Sequence, residues 1–564
     1  MIDDWPLAIA RFAQTLGGLS LVGAQTFAAM VVRSQGRAII GGSFAVALAG
    51  AVAWVLLMAG QYGATPGALL LSTGFGRVLL IRIGLFAVAT CLARPWPKLA
   101  AWLAWLGLAT AALSSHAAAI GDWYGMMLLA LHVLAAGVWL GGLLPLWRAG
   151  TAPARRFGNL AAVAVAVIVA SAIGQGLVLI GDLPSLFGTG YGQAALVKCL
   201  LLLAMLAVAL FNRTGAAGRL AWLRAGIAAE IALGLVVVAA ATVMASFPPA
   251  AHSVPVWPFP WALSFDVLGE PELHDEVFAA LEALLGAFAL LLLAVLARRV
   301  RWLAVAAAAG IVFYTVPHFD LLLVPAVPTS FQHSPTGFAA TGIASAAKLY
   351  PTQCAICHGV RGQGDGPEAA KQNIPPADLT AAHLWDHPDG ALFWMIQSGS
   401  RTAVDTIGMP GLGNRLTRDQ IWSVIDYIRA RNAANAADGD GVFTMPVTVP
   451  ALALECAGMP ATDLASLIAE HGAILILRAK PVPGRIPTVF LSEGPPAPGT
   501  CVAADQTAWA GYAVLADTPS LPEGAWFTVD ANGWLRQRGS GTPEAAWRKI
   551  RADPLTLPDH PHSH

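Results

Sequence analysis

The chain has 564 residues, of which 56% are hydrophobic and only 12% are charged. This composition excludes an ordinary soluble globular protein. The formal net charge is zero, so neither a nucleic-acid-binding surface nor an acidic tail is indicated. Six cysteines are too few for a disulfide-rich scaffold.

The first part of the chain alternates long apolar runs with short loops. Each run has roughly 17 to 27 residues, enough to cross a hydrocarbon core of about 30 Å. Backbone amides inside lipid must pair within the segment, so the runs are predicted to be helices. The sequence therefore predicts a polytopic all-α membrane bundle of about ten helices, at 7–32, 38–59, 76–93, 99–118, 124–147, 157–181, 192–211, 220–246, 276–297 and 301–317.

Basic residues are distributed unevenly between the loops. Thirteen Lys and Arg residues follow the odd-numbered helices, and none follows helices two, four, six or eight. By the positive-inside rule the first set faces the cytoplasm, so the N-terminus and the chain after helix ten are predicted to lie outside. The first run lacks a basic n-region and is too long for a cleavable signal peptide, so we expect it to be the insertion signal.

Histidine and methionine side chains of the membrane half gather toward the predicted outer side. His116 ends helix four, His132 lies about two turns into helix five, and His252 follows helix eight. Imidazole and thioether groups suit copper ions, and polar residues inside a bilayer are candidates for function. Any single histidine is more often a packed or hydrogen-bonding residue. Three charged side chains also need partners within the membrane: Arg82, Lys198 and Glu230.

Several runs resemble the copper-resistance protein D (CopD) family. The resemblance is carried by SSHAAAIGDWYGMMLLALHVLAAGVWLGGLLPLW at 114–147, by GTGYGQAALVKCLLLLAMLAVALFNR at 188–213, and by the later AEIALGLVVVAAATVMASFPPA run. It covers roughly residues 10 to 250. The resemblance implies copper movement across, or copper handling at, the bacterial inner membrane. It also implies three copper-binding residues: His116, His132 and His252.

The run CAICH at 354–358 is the attachment signature of a c-type haem. The thiols of Cys354 and Cys357 would bond to the haem vinyl groups, and His358 would ligate iron. In a later GMP run, the thioether of Met409 is suited to the second axial position, and Met/His ligation raises the reduction potential. The alternative is a structural zinc or redox CxxC, although no second ligand pair follows at zinc spacing.

Residues of about 338 to 433 resemble a class I cytochrome c, through CAICHG, GDGP, PPADLT, GMP and a closing helix at 417–430. The resemblance implies one covalent haem c on Cys354 and Cys357, with His358 as the proximal ligand and Met409 as the distal one. Three side chains in a stretch that is predicted to be helical are rival distal ligands: Met395, His383 and His387. Haem c is attached on the outer face of the bacterial membrane, so this domain is expected in the periplasm.

The flanking segments complete the predicted domain organisation. A CopD-like transmembrane domain at 1–318 is followed by a proline-rich linker at 319–337, the cytochrome at 338–433 and an α/β domain at 442–558. The last resembles a thioredoxin-like fold but has no CxxC, so dithiol exchange is not expected. In an oxidising compartment Cys456 and Cys501 have the opportunity to pair. The histidine-rich tail at 560–564 is either disordered or metal-binding.

Three functions are consistent with some or all of these features. The first is a copper-handling protein of the bacterial inner membrane, with lipid and copper ions as partners, whose periplasmic haem exchanges single electrons to set Cu(I) against Cu(II). The sequence does not identify its periplasmic redox partner. The second is a respiratory subunit that passes electrons from a quinol or b-type haem to haem c. The third is a membrane anchor for a cytochrome, for which ten helices are excessive. No catalytic activity beyond electron transfer and transport is expected.

Overall fold

The apolar runs fold into long helices in a computed structural model of the chain. The structure describes residues 5–552 except 33–36, 120, 215–219, 266–270, 297–299, 373, 402–406, 438, 446, 459, 461 and 482–486. Arg33, Arg219, Arg298 and Arg299 of the predicted basic loops, and the histidine-rich tail, lie outside the described residues. The chain divides into two units, Met1–Val256 and Trp257–His564, which are taken separately below.

The described part of the first unit is helical. Its α-helices are α1 (Trp5–Met30), α2 (Arg37–Tyr62), α3 (Pro66–Ser72), α4 (Gly74–Leu92), α5 (Pro97–Ala109), α6 (His116–Ala119), α7 (Trp123–Ala149), α8 (Ala154–Leu179), α9 (Leu183–Gly188), α10 (Gly190–Thr214) and α11 (Leu220–Met244). Short 3-10 turns follow α5 at Thr110–Ser114 and α11 at Ala250–His252.

Nine helices of the described residues are long and apolar enough to cross a membrane, against the ten that were predicted. The difference is the predicted fourth span at 99–118. There α5 has 13 residues and continues as the 3-10 turn Thr110–Ser114, because Thr110 bonds back to the Gly107 carbonyl and local side-chain bonds of this kind compete with the α-helix. The other predicted spans are present, with ends shifted by a few residues.

The first unit is organised around α1, which packs against α2, α5, α7 and α11. Glycines allow the close approaches. A Cβ at Gly23 would lie 2.0 Å from the carbonyl carbon of Gly141 on α7, and a Cβ at Gly17 would lie 2.3 Å from the Ala47 nitrogen on α2. Small residues at helix contacts give membrane helices their van der Waals packing, so these positions fix the bundle.

The second unit contains two membrane-type helices, α12 (Pro271–Leu296) and α13 (Arg301–Thr315). A 3-10 turn at Val316–Leu322 follows α13. Strand β1 (Trp261–Leu263) pairs antiparallel with β2 (Leu323–Pro325), so part of the predicted linker at 319–337 belongs to a two-stranded sheet. Further along the linker, the Thr329 hydroxyl donates to the Gly390 carbonyl at 2.5 Å and Arg418 donates to Gln332 at 3.0 Å. These bonds hold the linker against the haem-binding region.

The described residues of the cytochrome region form four α-helices, two 3-10 turns and an antiparallel pair of strands. The α-helices are α14 (Ala340–Gln353), α15 (Ala355–His358), α16 (Asp389–Ser398) and α17 (Arg418–Ala436), with β3 (Gly399–Arg401) antiparallel to β4 (Ile407–Pro410). A complete capping box begins α17, because Thr417 and Gln420 each bond to the other's backbone. Helices α14 and α17 pack against each other.

The C-terminal region is a mixed sheet with helices. Its elements are β5 (Ala453–Cys456), β6 (Thr462–Asp463), α18 (Leu464–His471), β7 (Ile474–Leu477), β8 (Thr488–Phe490), β9 (Cys501–Ala503), α19 (Ala508–Leu515), β10 (Ala525–Val529), β11 (Leu535–Ser540) and α20 (Glu544–Ala552). The strand order is β11-β10-β7-β8-β9-β5-β6, with β7, β8 and β9 parallel. The structure confirms an α/β region here, and the thioredoxin-like resemblance stays a prediction.

The cytochrome and C-terminal regions share one hydrophobic core. A single cluster of buried side chains extends from α14 and α17 into the sheet and α19. A Cβ at Gly511 of α19 would lie 2.3 Å from the Ala340 carbonyl oxygen of α14, and Arg431 of α17 forms an ion pair with Asp517 at 3.1 Å. The predicted boundary between 433 and 442 therefore separates two sequence segments that fold against each other.

Candidate haem centre and membrane sites

The predicted haem-attachment residues lie on one tight turn. Cys354 precedes α15, Cys357 and His358 lie within it, and Gly359 ends it with a φ of +79°. A Cβ at Gly359 would lie 1.8 Å from an Asp365 carboxylate oxygen, so glycine is required both by the left-handed backbone and by space. The turn is then closed by Gly366, whose amide donates to the Cys357 carbonyl at 3.1 Å.

The imidazole of His358 is oriented by one backbone acceptor. Its Nδ1 lies 2.9 Å from the Ala377 carbonyl oxygen. A carbonyl only accepts hydrogen bonds, so Nδ1 carries the proton and Nε2 keeps its lone pair. Metal-ligating histidines usually donate their other ring N–H in this way. His358 therefore has the form that a haem iron requires of its proximal ligand.

The residues around the turn fit a covalently attached haem. Cys354 and Cys357 are not joined in a disulfide, although their CxxC spacing permits one. Burial raises the pKa of the Cys354 thiol to about 11, so that free thiol is neutral near pH 7. Ile356 and Val360 are 47% and 78% exposed, which is apolar surface of the kind that a porphyrin covers.

Met409 lies on β4, and its backbone amide donates to the Ser400 hydroxyl on β3 at 3.0 Å. Its side chain is half-buried and packs against the same hydrophobic cluster that contains Cys354. A Cβ at Gly408 would lie 2.9 Å from the Ser400 hydroxyl oxygen, so the GMP run fits the hairpin closely. These contacts place the predicted distal ligand in the same core as the attachment turn.

The rival distal ligands have other surroundings. Met395 lies on α16 and is 41% exposed. His383 and His387 precede α16 rather than lying in it, because a 3-10 turn occupies Ala382–Asp386. Their rings contact each other edge to face, with centroids 5.7 Å apart. The structure thus corrects the expectation that both histidines belong to the helix.

In the membrane half, His132 lies in the interior of α7. Its Nδ1 is 3.1 Å from the Ser171 hydroxyl on α8. That hydroxyl donates its one proton to a backbone carbonyl, Val167 at 2.6 Å or Ile168 at 3.0 Å. Ser171 therefore accepts from His132, which leaves Nε2 as the nitrogen that is free for a metal. Sequence reasoning missed Ser171, which is 39 residues away.

The other two predicted copper residues are less well defined. His116 begins α6, and its side chain lies outside the described residues. His252 ends a 3-10 turn after α11 and is exposed. Within the described part of the chain, no three His, Cys, Asp or Glu side chains converge as a metal site. The copper-binding set of His116, His132 and His252 stays a prediction.

Two of the three membrane charges, Arg82 and Glu230, bond to neutral polar side chains rather than to opposite charges. Arg82 donates to the Thr110 hydroxyl at 3.0 Å and to the Ser114 hydroxyl at 3.2 Å. Glu230 accepts from the Asn212 amide at 2.5 Å. For Lys198, the described residues provide no ion pair. Thr110 and Asn212 gave no signal in the sequence, because neutral side chains in apolar runs are common.

Known protein families match both the membrane region and the cytochrome region of the chain. Residues 1–126 match the Copper resistance protein D-like N-terminal domain, residues 151–244 match Copper resistance protein D, and residues 341–428 match cbb3-type cytochrome c oxidase subunit III. The chain therefore carries CopD-family membrane domains joined to a cbb3-type cytochrome c domain.

A curated relative gives a more particular comparison. The chain is 33% identical over 158 residues to the copper transport protein CutJ of Bacillus subtilis (strain 168). The match covers 24% of this chain and 28% of that protein, so the chain spans well under half the length of this relative. The membrane, copper-resistance and cytochrome predictions are confirmed at the level of domains.

Proposed function

We propose that the chain handles copper at the bacterial inner membrane and exchanges electrons through a periplasmic c-type haem. The observation that carries this proposal is the occurrence of CopD-family domains and a cytochrome c domain in one polypeptide. Copper has two accessible oxidation states, and ligand softness discriminates between them. A one-electron carrier fused to a copper-handling domain can reduce or oxidise the copper and so set its oxidation state.

The haem-binding residues of the proposal are Cys354, Cys357, His358 and Met409. When bound, haem c supplies one-electron oxidation and reduction at a potential that Met/His ligation raises, and we infer that this exchange sets the ratio of Cu(I) to Cu(II). The protein's part is to hold the imidazole with Nε2 free, through the bond from His358 to the Ala377 carbonyl.

The copper-binding residues of the proposal are His116, His132 and His252. The bond from His132 to Ser171 supports the role of His132, because it presents a free Nε2 within the membrane. A b-type haem commonly needs two histidines from facing helices, and His132 is the one predicted deep in a span. This disfavours the respiratory alternative, in which a quinol or b-type haem reduces haem c.

The proposed sidedness places the haem and the outer histidines in the periplasm. With α5 and its 3-10 turn counted as a span, 13 residues at 1.5 Å and five at 2.0 Å give about 30 Å, so ten crossings remain. The disulfide between Cys456 and Cys501 supports an oxidising compartment for the C-terminal region. A trypsin-accessibility assay on right-side-out vesicles tests this: cleavage after Lys371, whose side chain is 69% exposed, is expected, and protection that detergent abolishes would contradict it.

One purified sample tests the function. Metal analysis is expected to give bound copper, and a reduced-minus-oxidised spectrum is expected to show c-type bands alone. Added Cu(II) should oxidise the reduced haem with a matching yield of Cu(I). A b-type band, or a haem that is indifferent to copper while copper binds, would contradict the proposal.

Variants separate the two metal sites. His132→Ala is expected to lower copper content without changing the c-type spectrum, whereas Met409→Leu is expected to lower the haem potential by on the order of 0.1 V. Met395→Leu is the matched control on the rival ligand and should leave the potential unchanged. A shift with Met395→Leu instead would overturn the distal assignment.

A further inference from the structure

A cavity of about 720 Å³ lies within the first unit, between α7, α8, α10 and α11. Its volume is in the range of small-molecule sites. Most of its wall is apolar, with side chains such as Trp139, Phe157 and Ile227. The copper and haem residues are not part of this wall, so the proposed function leaves the cavity without a role.

A single carboxyl group, Glu230 of α11, is buried in the cavity wall. Glu230 is only 4% exposed. The Asn212 amide donates to one of its oxygens at 2.5 Å, and the Trp139 side chain also forms a hydrogen bond with it. No ion pair of the described residues includes Glu230. An ionisable group within a membrane bundle, held by neutral donors alone, is a candidate for function.

The backbone is shaped to admit the amide beside this carboxyl. Gly226 lies one helical turn before Glu230, and a Cβ at Gly226 would lie 1.8 Å from the Asn212 amide oxygen. That oxygen is itself buried without a hydrogen-bond partner. Any larger residue at 226 would push Asn212 away from Glu230. The pair is therefore a specific local arrangement rather than an accident of packing.

Two exposed arginines line one end of the cavity. Arg155 at the start of α8 and Arg213 at the end of α10 both line it. Arg213 reaches across to α8, with its guanidinium 3.4 Å from the Gly158 carbonyl oxygen and 3.4 Å from the Asn159 amide oxygen. Besides Glu230, these are the charged side chains among the described lining residues, and α7 contributes Trp139 to the same wall.

The neighbouring helix α1 also packs against α11. Phe27 of α1 lies beside the cavity, because its ring contacts the cavity-wall residue Phe157 with centroids 6.0 Å apart. The one charged residue of α1, Arg11, is 16 positions before Phe27. That separation is about 24 Å along a helix, so Arg11 is remote. On the other helices packed against α11, Lys198 of α10 is 14 positions before Asn212 and Arg148 of α7 is nine positions after Trp139, about 21 Å and 14 Å along a helix. The two arginines are therefore the basic side chains that line the cavity itself.

This arrangement suits a proton better than a metal cation. A metal ion would have to bring its coordination shell past two guanidinium groups and would find one carboxylate and one amide oxygen. A proton moves along hydrogen-bonded water, and the cavity has room for several water molecules at about 30 Å³ each. The carboxyl needs no further ligand when it is protonated.

We propose that Glu230 is a proton-binding site of the membrane domain, reached through this cavity from its arginine-lined end. One proton leaves a hydronium ion, which becomes water, and bonds to a carboxylate oxygen, so the side chain changes from −1 to neutral. This inference goes beyond the copper and electron chemistry proposed above and does not depend on it.

Infrared difference spectroscopy on the full chain in lipid nanodiscs tests the proposal. A pH step is expected to produce a carboxylic C=O band that Glu230→Gln removes. Glu282→Gln, which changes a carboxyl on the membrane-type helix α12, is the matched control and should keep the band. A band that survives in Glu230→Gln would overturn the proposal.

A second variant keeps the test decisive if Glu230→Gln folds poorly. Asn212→Ala removes a donor that stabilises the carboxylate, so the midpoint pH of the band is expected to rise by about one pH unit. Gly226→Ala should act in the same direction by displacing Asn212. An unchanged midpoint in both variants would exclude Glu230 as the titrating group.

Discussion

The haem-attachment turn and the membrane bundle each fix a histidine in the same protonation form, but by different means. His358 donates to the backbone carbonyl of Ala377, and His132 donates to the hydroxyl of Ser171. A backbone acceptor is supplied by any residue at 377, whereas the hydroxyl depends on one side chain. The first region is therefore robust to substitution at the partner position, and the second is sensitive to it.

The largest expected effect lies in the haem-attachment turn. The double variant Cys354→Ser, Cys357→Ser removes both thiols, so covalent haem is expected to be lost completely. Haem staining after denaturing electrophoresis measures this. The membrane half provides the control, because Cys91→Ser changes a free cysteine of α4 and should leave the stain intact. Covalent haem on the double variant would contradict the assignment.

The next effect concerns a buried carboxyl beside the linker. Asp426 is 3% exposed and accepts from the Thr336 hydroxyl, and burial raises its pKa to about 7. The folded state then holds a proton that the unfolded chain releases near pH 4. Stability from this group is full below pH 4 and is lost between about pH 4 and pH 7, by up to about 4 kcal/mol.

Asp426→Asn is expected to flatten that dependence, as measured by denaturant unfolding at several pH values followed through haem absorbance. The exposed carboxylate Asp419, on the same helix, provides Asp419→Asn as the control, which should retain the slope. A slope that persists in Asp426→Asn would assign the pH dependence to another group.

In the membrane bundle, a substitution at a close contact between helix backbones is expected to lower stability by an intermediate amount. Gly23→Ala places a Cβ against Gly141, 2.0 Å from its carbonyl carbon, and overpacking of this kind costs about 1–3 kcal/mol. A lower thermal midpoint in detergent is expected. Gly84→Ala on α4 meets no atom within 4 Å and should have no such effect. Equal thermal midpoints for Gly23→Ala and Gly84→Ala would contradict the prediction, because the contact between α1 and α7 would then accommodate a Cβ without loss of stability.

The smallest expected effect tests whether Ser171 positions His132 in the way that the Ala377 carbonyl positions His358. Ser171→Ala removes the acceptor of His132, a net loss of about 0.5–1.5 kcal/mol for one hydrogen bond, and should weaken copper binding up to about tenfold. Competition with a copper chelator measures it. Ala377→Gly in the haem region keeps the carbonyl and is expected to leave the haem spectrum unchanged. Unaltered copper affinity in Ser171→Ala would remove the positioning role of Ser171.

Much of the membrane bundle could be predicted, because a long apolar run inside lipid must form a helix to pair its backbone amides. The predicted helix at 38–59 corresponds to Arg37–Tyr62, and the one at 124–147 corresponds to Trp123–Ala149. The helix predicted at 99–118 is α5 followed by a 3-10 turn, because the hydroxyls of Thr110 and Ser114 bond to nearby carbonyls.

The cytochrome region was equally accessible, since CAICH is a contiguous motif, and the roles of Cys354, Cys357, His358 and Met409 stay predictions. What the sequence did not reveal are contacts between distant positions: Ser171 with His132, Asn212 with Glu230, and Gly511 with Ala340. Each member is an ordinary residue in its own segment, and its role exists only once the chain is folded. The histidines 383 and 387 were misplaced for a local reason, because Pro388 ends the preceding turn before α16 begins.

The core that α14 shares with α19 has a consequence for biosynthesis. The helix that opens the haem-carrying region is covered by a helix that leaves the ribosome only near the end of translation. Until then the apolar side of α14 has no cover from that partner. A prematurely terminated chain that lacks α19 would therefore expose apolar side chains of α14, and it is expected to aggregate or to be degraded more readily than the full chain.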